Sequence, residues 1–153
     1  MVVKIRGGIE GEIIEGLKLA RLDIFGKGRA GKAVITCSQG GTDRNPSLND
    51  VDIRKWRDGI NSAVNMGVPV IVAAGNHGEQ AGRLNVDTAP GIFESSILPL
   101  IVVGATDYAG QPLPSSQRGP KVKVWGPGDA TCPFGGQDGV FKVTGTSVGM
   151  MQS

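Results

Sequence analysis

Short β-branched runs alternate along this chain with stretches whose apolar residues recur every three or four positions. That alternation is the pattern of strands joined by crossover helices around a parallel sheet. The run "VVKI" at residues 2–5 has the composition of a strand. Over residues 10–22, Ile13, Ile14, Leu17 and Ala20 or Arg21 fall at helical spacing, so a helix is expected there. "AVITC" at 33–37 reads as the next strand. The clearest helix is expected over 51–66, where Ile53, Trp56, Ile60, Ala63 and Val64 form one stripe, with Asn49 or Asp50 as N-cap and Gly67 as the stop. "VPVIVAA" (68–74) and "LPLIVVGA" (98–105) are apolar throughout, as in strands buried on both faces. Shorter strands are expected near 122–125 and 140–143, broken by "GPGD" and "FGGQDG". The expected class is α/β.

Composition narrows this picture. A chain of 153 residues is the size of one domain, and 39% hydrophobic with 20% charged residues argues against both disorder and a membrane protein. Twenty-five glycines, gathered in short runs between apolar segments, imply many tight turns and close backbone approaches. The net charge is +2, and Lys27, Arg29 and Lys32 form the one tight basic cluster, too little for a nucleic-acid partner. No stretch approaches the roughly 18 apolar residues of a membrane span, so no membrane association is expected. "MVVKIRGG" lacks the apolar region of a secretory signal, and the sequence names no compartment. Cys37 and Cys132 match no metal spacing and would pair only if the fold brought them within bridging range.

Three motifs compete for chemistry. In "GKGRAGKA", Gly26, Gly31 and Lys32 have the spacing of a phosphate-cradling loop. The context is wrong: the segment leaves a helix, opens a strand, and has Ala33 where a hydroxyl should meet magnesium, so it reads as a solvated turn. In "VIVAAGNHG" a buried strand stops at Gly75 and presents Asn76 at the carboxyl edge of a parallel sheet, where such folds place ligands. The Asn76 amide is either a donor to a developing oxyanion or a turn former. In "GTSVG", Ser147 lies at the start of a short helix as either a nucleophile or a cap.

Taken together the motifs resemble the subtilisin-like serine peptidases (peptidase S8). In that family a strand ending A-A-G-N carries the oxyanion-hole Asn, and G-T-S-x-A opens the helix of the nucleophile. Here they stand in the same order as "AAGN" (73–76) and "GTSVG" (145–149). "TCSQGG" (36–41) is similar to the family's S-x-G-G segment, "LPLIVVGATDYAGQ" to its S-V-I-A-V-G-A segment, "SSQRGP" to its S-x-x-G-P turn, and "VWGPGD" to its A-P-G loop. The resemblance implies a three-layer, mostly parallel sheet with crossover helices, and residues 1–153 as a partial subtilisin-like domain. It implies Ser147 as nucleophile and Asn76, with the Ser147 backbone N–H, as the oxyanion hole. Ser38, Gln39 and Gly40 with Ala73, Ala74 and Gly75 would flank an extended peptide or protein substrate by strand addition. No cofactor is implied, and although calcium is common in relatives, the sequence shows no ligand cluster for any metal.

The resemblance also marks what is missing. A serine hydroxyl needs a base to take its proton and a carboxylate to orient the base, in the family's order Asp, His, Ser. The D-[ST]-G and H-G-T motifs do not occur here. If 2–5 matches the strand after the family's histidine helix, both residues lie upstream of Met1, and a complementing segment or chain would have to supply them. His77 follows Asn76 directly, but is expected to be an ordinary exposed loop histidine. Gly149 and Met151 replace the family's Ala and Pro, and a helix this short is marginal by itself. The family strand expected between those matched by 2–5 and 33–37 is also missing, leaving either a direct pairing or an open edge prone to association. The expectation is a serine endopeptidase domain fragment, inactive alone. The alternative is a non-catalytic pseudopeptidase that holds extended peptides without cutting them.

Overall fold

A computed structural model describes residues 10–133 and 140–152. The chain begins with α1 (Glu10–Gly26), β1 (Ile35–Cys37), α2 (Val51–Asn65) and β2 (Val70–Ala73). A single 3-10 turn (Gly91–Phe93) precedes β3 (Ile101–Thr106) and β4 (Val122–Pro127), and the chain ends with β5 (Asp129–Pro133), β6 (Val140–Thr144) and α3 (Thr146–Gln152). Strands β1 to β4 form one parallel sheet in that order, with Ile35 opposite Val70, Ile71 opposite Ile101 and Val103 opposite Val124. β5 and β6 make a separate antiparallel pair. The strand expected at 2–5 and the break at 134–139 lie outside the described residues.

α2 forms where its stripe predicts. Ile53, Trp56, Ile60 and Ala63 are buried, and Asp50 is the N-cap, its carboxylate accepting from the N–H groups of Asp52 and Ile53 at 2.8 and 3.1 Å. The stripe packs with Ile13, Leu17 and Ile24 of α1 and with Val70, Val72 and Val102 of the sheet, and Trp56 meets Phe93 edge-on at 6.4 Å. Successive residues of a strand face opposite ways. Val102 therefore belongs to the α1–α2 side, whereas Val103 and Ala105 are buried outside that cluster, on the face where α3 packs against β3 and β4. Three layers result, as expected.

Several bounds differ. α1 continues to Gly26, one turn beyond the expected end, because Ile24 is buried against the core. β1 spans three residues rather than five, since pairing with β2 begins only at Ile35 and Val34 stays exposed. β4 runs into the "GPGD" break, its Pro127 standing opposite Thr106 at the strand's end. Between α1 and β1 lies a cavity of about 330 Å³ lined by Ile13, Leu17, Ile35, Cys37, Trp56 and Ile60 among others. Among the described residues β1 pairs only with β2.

Candidate active site

Two neighbouring parallel strands deliver the predicted residues to one edge. β1 ends at Cys37, and the exposed segment Ser38, Gln39, Gly40 continues from its carboxyl end. The Gly41 N–H then donates to the Ala89 carbonyl at 2.8 Å, tying this segment to the chain before the 3-10 turn. β2 ends at Ala73, and the Ala74 N–H extends the ladder by donating to Val103 C=O at 2.9 Å. Gly75 then turns the chain with φ +107°, a conformation that favours glycine, and Asn76 stands exposed beyond it.

α3 arrives at the same edge from the β5–β6 pair. Gly145 has φ +147° and holds its N–H against the Gly128 carbonyl at 2.8 Å, which sets the entry into the helix. Thr146, 1% exposed, then ties the two segments together. Its N–H donates to Asn76 Oδ1 at 2.9 Å, its hydroxyl donates to the same oxygen at 3.0 Å, and that hydroxyl accepts from the Gly75 N–H at 3.2 Å. With Oδ1 held by two donors, the other end of the Asn76 amide is the NH2 group. A Cβ on Gly145 would stand 3.0 Å from Asn76 Nδ2, a tight contact that would press on that amide, at a φ that L side chains rarely adopt.

Ser147 follows Thr146 and is half-buried. The N–H groups of Val148 and Gly149 both turn back to the Gly145 carbonyl, at 3.1 and 3.2 Å. The N–H of Ser147, second in the helix, belongs to the first-turn donors that have no acceptor within the helix. Gly149 backs onto the sheet: a Cβ there would lie 2.8 Å from the Gly126 carbonyl. Asn76 and the start of the Ser147 helix are thus joined directly, through a threonine to which the sequence assigned no role. Its signal was the G-T-S triplet itself.

His77 departs from the expected exposed histidine. It is half-buried, and its Nδ1 is buried with no hydrogen-bond partner among the described residues. The cause lies one residue on, where the Gly78 N–H donates to Ser115 C=O at 2.8 Å and draws the loop inward. Cys37 is a free thiol, and burial pushes its pKa up despite the contact of its sulfur with Gln39 C=O at 3.6 Å. The "GKGRAGKA" segment joins the end of α1 to β1, a helix-to-strand turn as expected. Among the described residues no three His, Cys, Asp or Glu side chains gather as a metal site.

The chain matches the model of the subtilase family over residues 6–149. It is 30% identical over 145 residues to alkaline protease 1 of Aspergillus clavatus, which covers 94% of this chain and 32% of that protein. It is 33% identical over 136 residues to subtilisin-like protease 10 of Arthroderma otae, covering 89% of this chain and 30% of that protein. In fold it is similar to a cold adapted subtilisin-like serine proteinase, with a TM-score of 0.66 at 22% identity, over 93% of this chain and 44% of that one. The chain therefore spans about a third of the length of these curated relatives. With the parallel sheet, the family match and these relatives in agreement, the chain belongs to the subtilase family of serine peptidases.

Proposed function

We propose that residues 1–153 form part of a serine endopeptidase domain, in which Ser147 is the nucleophile and Asn76 a donor to the oxyanion. The observation that carries the reading is the grip of Thr146, the residue before Ser147, on Asn76 Oδ1, with the amide NH2 beside Gly145 at the entry to the same helix. Attack by Ser147 Oγ on a peptide carbonyl would place negative charge on its oxygen, and the Asn76 NH2 with the Ser147 N–H would receive that charge without reorganising. Ser38, Gln39 and Gly40 on one side and Ala73, Ala74 and Gly75 on the other would hold the substrate backbone extended between them.

The proton of Ser147 needs a base, and the chain's single histidine follows the oxyanion donor rather than approaching from another element. In this reading the base and its carboxylate come from a complementing segment or chain, and residues 1–153 alone do not cleave peptides. Oxyanion stabilisation and binding without the other two triad members leave about 10³ to 10⁴-fold over water, the residual known for this family, which is below detection for a peptide bond. A second reading, a peptide-holding module without turnover, is favoured by that lone histidine. A chromogenic peptide separates them. Purified chain should give no turnover, whereas a polypeptide in which the Asp- and His-bearing part of a relative precedes it should cleave, and Ser147→Ala should abolish the cleavage. Turnover by the isolated chain that Ser147→Ala removes would overturn the inactivity, and cleavage by the longer polypeptide that survives Ser147→Ala would overturn the nucleophile.

A further inference from the structure

Behind the Asn76 turn lies a fully buried glutamine, at a variable position of the "SSQRGP" turn. Gln117 has no exposed surface, and its backbone N–H donates to the Gly75 carbonyl at 2.9 Å. The Gly75 N–H is meanwhile held by Thr146 Oγ1, so both backbone groups of the residue before Asn76 are fixed from opposite sides. The side chain of Gln117 is anchored in turn. Its Nε2 lies 2.8 Å from the Arg83 carbonyl, 2.8 Å from the Asn85 carbonyl and 2.7 Å from Asp87 Oδ1. All three neighbours are acceptors, which fixes the nitrogen on that side and turns Oε1 toward Gly75, where a Cβ would collide with it.

Asp87 is itself held. Arg83 grips it through Nε and Nη2, each at 3.0 Å, and Arg44 Nε stands 3.5 Å from Oδ2. The chain on either side of Gln117 is bound to the same loop, since the Val86 N–H donates to Arg118 C=O at 3.1 Å and the Arg118 N–H to Leu84 C=O at 2.8 Å. A chain of hydrogen bonds thus runs from the Arg83–Asp87 pair through Gln117 to Gly75, the residue before Asn76, and both Gly75 and Asn76 bond to Thr146 of α3.

We propose that Gln117 is a positioning residue for the Asn76 amide: clasped by the 83–87 loop, it holds the Gly75 turn so that Asn76 meets Thr146. The inference rests on the reading of Asn76 as oxyanion donor only for its bearing on catalysis; the positioning itself is read without turnover.

The test is amide hydrogen exchange of the full chain by NMR, expressed as protection factors at Gly75 and Thr146, with Val72 and Val102 as core references. In Gln117→Leu, protection at Gly75 and Thr146 should fall at least about tenfold, the scale of one lost hydrogen bond, with the references unchanged. Gln117→Glu keeps the shape and adds a pH readout that a purely space-filling role would not move. The introduced carboxyl faces two carbonyls and Asp87, so it can donate only when protonated, while Arg83 and Arg44 are already engaged by Asp87. Protection at Gly75 and Thr146 should then be kept at low pH and lost reversibly as pH rises, within a single sample, while the references hold. No change in either variant would overturn the proposal. So would loss of protection at the core references together with Gly75 and Thr146, which would make Gln117 a support of the whole fold. If Asn76→Ala left catalysis by the longer polypeptide intact while these shifts occurred, the oxyanion reading would fail and the positioning of Asn76 would stand.

Discussion

At the scale of single residues, Gly75 carries two constraints at once. Its φ of +107° strains any L side chain, and the space a Cβ would need is taken by Gln117 Oε1. Gly75→Ala is therefore expected to destabilise the chain by about 1–3 kcal/mol, read as a lower urea midpoint with the slope unchanged. A midpoint equal to the parent's would show that the turn tolerates a side chain. The letters of Asn76 and Ser147 were legible because each sits in a motif with a chemical reason for its order. The roles of Thr146 and Gln117 were not, although Thr146 stands inside the G-T-S triplet, because each depends on a contact across 70 or 42 positions in sequence. The burial of His77 was hidden for the same reason. Its loop is drawn in by a carbonyl from residue 115.

Among the elements, α2 was the most legible because each of its signals is local: the stripe, the acidic cap and the glycine that stops it. Its cap gives a direct check. Asp50→Ala removes the acceptor of two first-turn N–H groups and should cost about 1 kcal/mol, measured as a shift in the chemical midpoint. An unchanged midpoint would mean that solvent satisfies those donors equally well. The strand β5 escaped prediction because "DATCP" is short, has no β-branched run and ends in proline, and it exists by pairing with β6, Ala130 opposite Val143. The start of β1 was placed two residues early, since an apolar run states what is buried, not where a partner strand begins. The short α3 also depends on its setting. Val148 and Met150 are buried, so the sheet rather than helix propensity holds the Ser147 turn in place.

For the molecule as a whole, the parallel pairing and layering followed from the alternation of runs and periods, whereas the separate β5–β6 pair did not, because strand-like runs do not state which sheet they join. The buried Asp87 pair makes global stability depend on acid. Burial opposes the charged form of Asp87, but hydrogen bonds from Arg83 and Gln117 and the charges of Arg83 and Arg44 outweigh it, so its pKa lies below the ordinary aspartate value. A depressed folded pKa stabilises the fold above the unfolded value of about 3.9, and that contribution is lost as pH falls through the folded pKa. Urea midpoints of the parent should therefore drop through this acid window, with Asp87→Asn flatter across it; equal slopes for the two would contradict the clamp. The claim on which the rest depends is that Asn76 and Ser147 act on one carbonyl. It is tested most directly by kcat and KM of Asn76→Ala in a polypeptide that also carries the Asp and His segments. The account predicts a fall in kcat of about 10²–10³-fold, a cost taken over from the corresponding donor of subtilisin, with KM within about threefold. A kcat equal to the parent's would contradict it.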